Sequence, residues 1–310
     1  MEIFSFIDLN DKQITRMREI AGNDQLHIHG WFAEGNIIEP AFPNSEVVFG
    51  NIPPSWLPHA SSTNWIQLES IGFGEYLDLD WQALGERITM TNLAGFFSEP
   101  VAETALAGIL SLYRGVDQLV LLKEKKQWIG DPMRTQLRTL KGANVVLFGY
   151  GAINRRLTEL LSPYQCFVTH FDIGWTPAQL DEALATADIV CCSVPETNTT
   201  IGLFDEARLG LLKRNALFIN VGRGSIVDEN ALATALYHHQ IGGSVIDVTL
   251  KEPLSEEHPL WDAPNTILTQ HTGGGTFDEV DRKIEVFADN LARYRKGEPL
   301  LGIVNFERGF

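Results

Sequence analysis

A two-domain α/β protein with parallel sheets is predicted by three features of the 310-residue sequence. Short apolar runs alternate with helix-length amphipathic segments along most of the chain, the pattern of strand-helix-strand units whose strands run parallel. The length and the 44% hydrophobic content suit two buried cores better than one. The unbroken apolar run at residues 143–148, which follows an irregular polar stretch at 128–138, reads as a strand buried on both faces that opens a second unit.

The elements follow in order. Apolar runs at 3–7, 26–32, 46–49, 65–68 and 88–90 are expected strands of a first, smaller sheet. Ser98 is a plausible N-cap with Pro100 in the first turn. From it one amphipathic helix is predicted with Ala105, Ile109, Leu112, Val116 and Leu119 on a single face. That pattern suits a spine between domains or subunits and an ordinary core helix equally. Strands of a second sheet are expected at 143–148, 167–171, 189–194, 217–221, 244–248 and 266–269, which makes it doubly wound. A last helix, 278–296, places Val280, Ile284, Phe287 and Leu291 on one face. The expected domains are 1–95 with 276–310, and 96–275 between them.

Composition narrows the function. Lys plus Arg number 24 against 40 Asp plus Glu, a formal charge of −16, so the overall field repels nucleic acid and anionic membranes. A small anionic substrate would then need local positive charge or backbone amides. The three cysteines, Cys166, Cys191 and Cys192, lack metal-finger spacing, so no metal site is expected, and they read as thiols of a reducing compartment. Residues 1–9 carry no basic leader, and no run reaches the roughly 18 apolar residues of a membrane span, so a cytoplasmic location is expected.

Gly149-Tyr150-Gly151-Ala152-Ile153-Asn154 follows the buried strand and opens a helix, the setting of a Rossmann-type dinucleotide-binding turn. Gly149 permits the tight turn. Gly151, Ala152 and Ile153 bring backbone to a pyrophosphate at the helix N-terminus. Asp172, with residues 155–171 between it and Asn154, suits a ribose diol. Ile173, Gly174 and Trp175 offer no cation for a 2′-phosphate, which favours NAD(H) over NADP(H). Asn154 stands where a third glycine is usual, and its side chain is expected either to push helix and strand apart or to occupy a locally adjusted crossing, with weakened cofactor binding.

Arg223, in Asn220-Val221-Gly222-Arg223-Gly224, sits at a strand's carboxyl end and can grip a carboxylate in bidentate fashion. Glu252 follows Val245-Ile246-Asp247-Val248, and His271 ends the next strand-like run. Alone, His271 reads equally as a structural histidine and Glu252 as a solvated loop acid.

Together these motifs resemble the D-isomer-specific 2-hydroxyacid dehydrogenases over residues 144–276. The match runs through the glycine turn, Asp172, the Asn-Val-Gly-Arg-Gly-Ser-Ile-Val-Asp-Glu stretch from Asn220, the Glu-Pro-Leu of residues 252–254, and Gln270-His271-Thr272-Gly273-Gly274. Matches at Val47-Val48-Phe49-Gly50, Trp65-Ile66-Gln67-Leu68, Asn92-Leu93-Ala94-Gly95 and Val101-Ala102-Glu103 extend it upstream, with a flavour of the glyoxylate/hydroxypyruvate reductase branch. The resemblance implies a flavodoxin-like substrate domain beside the cofactor domain, with the active site in the cleft between them. It also implies a homodimer through the helix from Ser98, and NAD(H)-dependent interconversion of a small 2-oxo acid and its D-2-hydroxy acid. It assigns the substrate's carboxylate and carbonyl to Arg223, proton donation to His271, and orientation of His271 to Glu252. Such proton transfer is worth a factor of roughly 10² to 10⁴.

Further roles implied are Ile71 and Gly72 as backbone contacts to the substrate carboxylate, Asp247 beside the nicotinamide amide, and Val221 and Gly274 as backbone cofactor contacts. For Asp247 the competing reading is a buried strand-end acid that caps a loop. Residues 173–187, between Asp172 and Asp188, form a shorter link than the family usually has, so a trimmed helix and strand are expected beside the adenine. Alternatives of the same fold are a formate dehydrogenase, expected to carry glutamine where Glu252 stands, a phosphite dehydrogenase, and a non-enzymatic NAD(H)-sensing binding protein.

Overall fold

Val47-Val48-Phe49 and Trp65-Ile66-Gln67 are buried throughout, as strands covered on both faces must be. They belong to the first of two parallel sheets in the computed structural model, which describes residues 1–30, 37–84 and 87–306. The first unit, Met1–Phe96 with Thr276–Phe310, begins with β1 (Glu2–Phe6), α1 (Asp11–Ala21), β2 (Gln25–His29), β3 (Val47–Phe49), β4 (Trp65–Gln67), α2 (Trp81–Leu84) and β5 (Thr89–Thr91). Its sheet order is β2-β1-β3-β4-β5, every pair parallel. Positions 31 and 32 of the expected second strand lie outside the described residues.

The second unit, Phe97–Gly275, contains α3 (Ser98–Arg114), α4 (Val116–Glu124), α5 (Asp131–Arg134), β6 (Asn144–Phe148), α6 (Ala152–Leu161), β7 (Phe167–Phe171), α7 (Pro177–Thr186), β8 (Ile189–Cys192), α8 (Glu206–Leu209), β9 (Leu217–Asn220), α9 (Glu229–Tyr237), β10 (Gly243–Ile246) and β11 (Thr266–Leu268). The sheet order is β11-β10-β9-β8-β6-β7. After β7 the chain crosses back to lay β8 on the other side of β6, so the winding reverses there. Ligands of open α/β sheets bind outside the strand carboxyl ends at such a point. The link between β7 and β8 carries α7, whose Thr176–Gln179 capping box closes its first turn.

The single helix expected from Ser98 is two helices. Gly115 takes a left-handed φ of 62°, and α3 and α4 meet at a 70° bend. A Cβ there would press on the tip of the Met133 side chain, which can swing aside, so it is the left-handed backbone that favours glycine. Ala105 and Ile109 are buried, while Val116 and Leu119 beyond the bend are half exposed. No single helix among the described residues is long and apolar enough to cross a membrane.

The last helix, α10 (Glu279–Lys296), belongs to the first unit. Strand alternation there sorts side chains onto two faces: Ile3, Val47, Phe49 and Trp65 pack with Ile284, Phe287 and Leu291, whereas Phe4, Phe6, Val48 and Ile66 pack around Trp56. The Phe287 ring stacks on Phe49, centroids 4.6 Å apart.

Candidate functional site

The glycine turn lies where β6 hands over to α6. Gly149 has φ 84°, and a Cβ on it would meet Val194 Cγ1 at 2.5 Å, so the turn after β6 and the chain leaving β8 can approach only because the side chain is missing. Above Gly151, the N-cap of α6, the space is open, and no side chain caps the helix. The first-turn amides, including those of Ala152 and Ile153, are thus left uncapped by side chains, a setting that suits an anionic pyrophosphate. Asp172 is exposed just past β7, suited to a ribose diol. These residues fit a dinucleotide.

Asn154 does not act as a wedge. It is fully buried in α6, and its Nδ2 donates to the carbonyls of Gly149 at 2.6 Å and Phe148 at 3.3 Å. The amide therefore ties the glycine turn to the helix in place of the close contact a glycine would give. Its Oδ1 has no protein partner among the described residues. Tyr150, inside the turn, stacks on His170 of β7 at 3.9 Å, and Arg155 Nε donates to the Tyr150 carbonyl.

Three strand ends then deliver the polar groups. After β9, Asn220 folds back so that its Nδ2 donates to the Arg223 carbonyl and its Oδ1 accepts from the Gly222 amide, an Asx-type turn that fixes the segment. Val221 is buried at its start. Arg223 is extended and exposed; its guanidinium donates to the Gly222 carbonyl and has no carboxylate within ion-pair distance among the described residues. After β10, Glu252 Oε1 accepts the Thr249 amide at 3.0 Å. Its Oε2 lies 2.7 Å from Nδ1 of His271, which follows β11. A cavity of about 450 Å³, lined by Leu254, Trp261 and Leu268, runs up to this pair and gives it an apolar flank.

Gln270 and His271 both hold left-handed backbone, φ 53° and 56°, a conformation side-chain-bearing residues seldom adopt. Asp247 explains how it persists. Its carbonyl accepts the His271 amide at 2.6 Å, and its carboxylate accepts from the Thr269 hydroxyl and the Gly273 amide. The buried Asp247 therefore clamps the His271 loop, the bracing role that competed with a cofactor contact. Gly274 follows directly, and Phe97 fills the space its side chain would need.

Ile71 and Gly72 belong to the first unit. Asn92 Nδ2 donates to the Ile71 carbonyl, the Ser70 hydroxyl to the Gly72 carbonyl, and Asn51 to the Ser70 hydroxyl. The amides of Ile71 and Gly72 donate to no protein acceptor among the described residues, which leaves them available to an anion. The bracing roles of Asn51, Asn92 and Asn220 escaped the sequence reading; the available signal was an asparagine at or just past the end of a strand-like apolar run. Among the described residues, no cluster of three or more histidine, cysteine or acidic residues could hold a metal.

Residues 106–273 match the family model described as D-isomer specific 2-hydroxyacid dehydrogenase, NAD binding domain. A glyoxylate reductase of Thermofilum pendens is 32% identical over 256 residues, 78% of this chain and 75% of the relative. A mitochondrial formate dehydrogenase of Solanum tuberosum is also 32% identical, over 74% of this chain and 64% of the relative. The crystal structure of a D-isomer specific 2-hydroxyacid dehydrogenase family protein from Aeromonas salmonicida superposes with a TM-score of 0.83 at 25% identity, covering 98% of this chain and 99% of that one.

Proposed function

Because the chain belongs to the D-isomer-specific 2-hydroxyacid dehydrogenase family, we propose that it interconverts a small 2-oxo acid and its D-2-hydroxy acid, with NADH as reductant. The observation that carries this reading is the 2.7 Å contact between His271 Nδ1 and Glu252 Oε2. An ionised carboxylate only accepts hydrogen bonds, so Nδ1 holds a proton and Nε2 is the nitrogen that exchanges one. The cofactor, when bound, supplies the hydride.

The chain's own residues supply the rest. Arg223 grips the substrate carboxylate and polarises the carbonyl, His271 protonates the oxygen as charge builds on it, and Glu252 holds the ring's tautomer. Ile71 and Gly72 offer amides to the substrate carboxylate. Gly149, Gly151, Ala152 and Ile153 receive the pyrophosphate, Asp172 the ribose, and Val221, Asp247 and Gly274 line the nicotinamide side. On this reading residues 1–95 with 276–310 form the substrate domain and 96–275 the cofactor domain. The exposed apolar residues Leu119, Val120 and Leu121 of α4, with nearby Trp128, support a homodimer that covers them. The buried thiols suit the reducing cytoplasm.

The Thermofilum relative's name makes glyoxylate the first substrate to try, then hydroxypyruvate and pyruvate. The potato relative's name supports formate as a second reading, against which Glu252 stands in place of the glutamine expected there. NADH oxidation with each oxo acid, NADPH in parallel, and NAD⁺ reduction with formate and phosphite decide between them. Turnover with an oxo acid and NADH is expected. Preference for NADPH would remove the role given to Asp172, and NADH binding with no turnover of any oxo acid would favour a sensing protein.

A further inference from the structure

Glu229 is the first residue of α9, where an acid usually serves the helix dipole in water. Here it is only 8% exposed, and both of its oxygens are engaged by a distant segment. Oε1 accepts the Leu250 amide at 2.6 Å, and Oε2 lies 3.2 Å from Nε2 of His258. The Leu260 amide donates to His258 Nδ1, so the proton of the neutral ring sits on Nε2, pointed at Glu229. Burying a carboxylate costs several kcal/mol unless its partners compensate, and these partners all come from the chain that carries Glu252.

Two more observations tie this pair to the site. Gly224, next to Arg223, packs against the Thr249–Leu250 peptide so closely that a Cβ would lie 1.9 Å from the Thr249 carbonyl carbon. The Thr249 amide, next to the one Glu229 holds, is itself the donor to Glu252 Oε1. A continuous path therefore runs from the Arg223 turn through α9 and Glu229 to Leu250, Thr249, Glu252 and His271.

We propose that Glu229, supported by His258, is a positioning residue that holds the 249–258 segment so that Glu252 stays within hydrogen-bond reach of His271. It touches neither substrate nor cofactor. Its effect on turnover rests on the oxo-acid reading above; its effect on the segment does not.

The test measures amide exchange at Thr249 and Leu250, and steady-state reduction of glyoxylate by NADH, in the full-length wild type and in Glu229→Ala, Glu229→Gln and His258→Ala. Glu229→Ala is expected to exchange at least about tenfold faster at both amides and to lose kcat on the order of ten- to a hundredfold, with KM for NADH unchanged. Glu229→Gln keeps an acceptor for Leu250 and should recover most of both losses. If Glu229→Ala does not fold, His258→Ala carries the test, with faster exchange at Thr249 expected. Unchanged Thr249 exchange and unchanged kcat in Glu229→Ala would overturn the positioning role while leaving the oxo-acid reading intact. Faster exchange in a protein whose wild type turns over no oxo acid would support the positioning role and sink that reading instead.

Discussion

His271 and Glu252 meet at 2.7 Å although each follows a different strand, and the carboxylate is itself held by the Thr249 amide. The imidazole is thus fixed in ring orientation and tautomer before any substrate arrives. His271→Gln is expected to bind NADH normally, seen by fluorescence titration, and to lose a factor of roughly 10² to 10⁴ in turnover. Glu252→Gln, which keeps a hydrogen-bonding group but not the charge, should lose less. Full activity in His271→Gln would remove the proton-donor role.

Arg223 lacks a carboxylate partner among the described residues, so its charge remains available to an incoming acid. Arg223→Ala should raise KM for the oxo acid and lower kcat/KM by about 10²-fold or more, with Arg223→Lys recovering part of it. An unchanged KM would place the carboxylate elsewhere.

Both β8 thiols are fully buried, and burial pushes Cys191 up to about 12 and Cys192 well above the usual thiol range. Half-buried Cys166 is raised by burial as well. In native protein at pH 8, a thiol reagent counted by mass spectrometry should modify Cys166 slowly and the β8 pair not at all. Rapid modification of Cys191 or Cys192 would mean that the sheet opens.

Asp188, at the start of β8, accepts from the Asn144 amide and the Lys213 ammonium. Burial alone would raise its carboxyl, but Asn144, Lys213 and Arg138 outweigh it and hold the group below the ordinary range. A depressed folded value stabilises above the unfolded value of about 3.9, and the gain fades as pH falls through the folded one. Asp188→Asn should therefore cost about 2 kcal/mol at pH 7 and progressively less toward pH 3. A Tm difference from wild type that does not shrink with acid would contradict this.

The strands and the glycine turn were legible because burial on both faces leaves unbroken apolar runs and because Gly149 and Gly151 sit between one such run and a helix. The α3–α4 break was not, since apolar spacing continues through Val116 and Leu119 and only Gly115 marked the bend. Asn154 left a wedge and an adjusted crossing both open because a residue type does not disclose its hydrogen bonds, and the side chain is a buried tie. Arg223, Glu252 and His271 could be named from motif order, yet the groups that hold them were hidden. Asp247 offered two readings, and Glu229 looks like any acid opening a helix.

The left-handed backbone at His271 also inverts a familiar order of residue preference. At most positions alanine gives a more stable protein than glycine, because it narrows the unfolded chain. At 271 the glycine variant should be more stable to thermal unfolding than the alanine variant, by about 1 kcal/mol, since glycine takes that conformation without a Cβ clash. Relaxed backbone and an imidazole are therefore alternatives at this position. Glycine would relax that backbone but would discard the imidazole and its contact with Glu252.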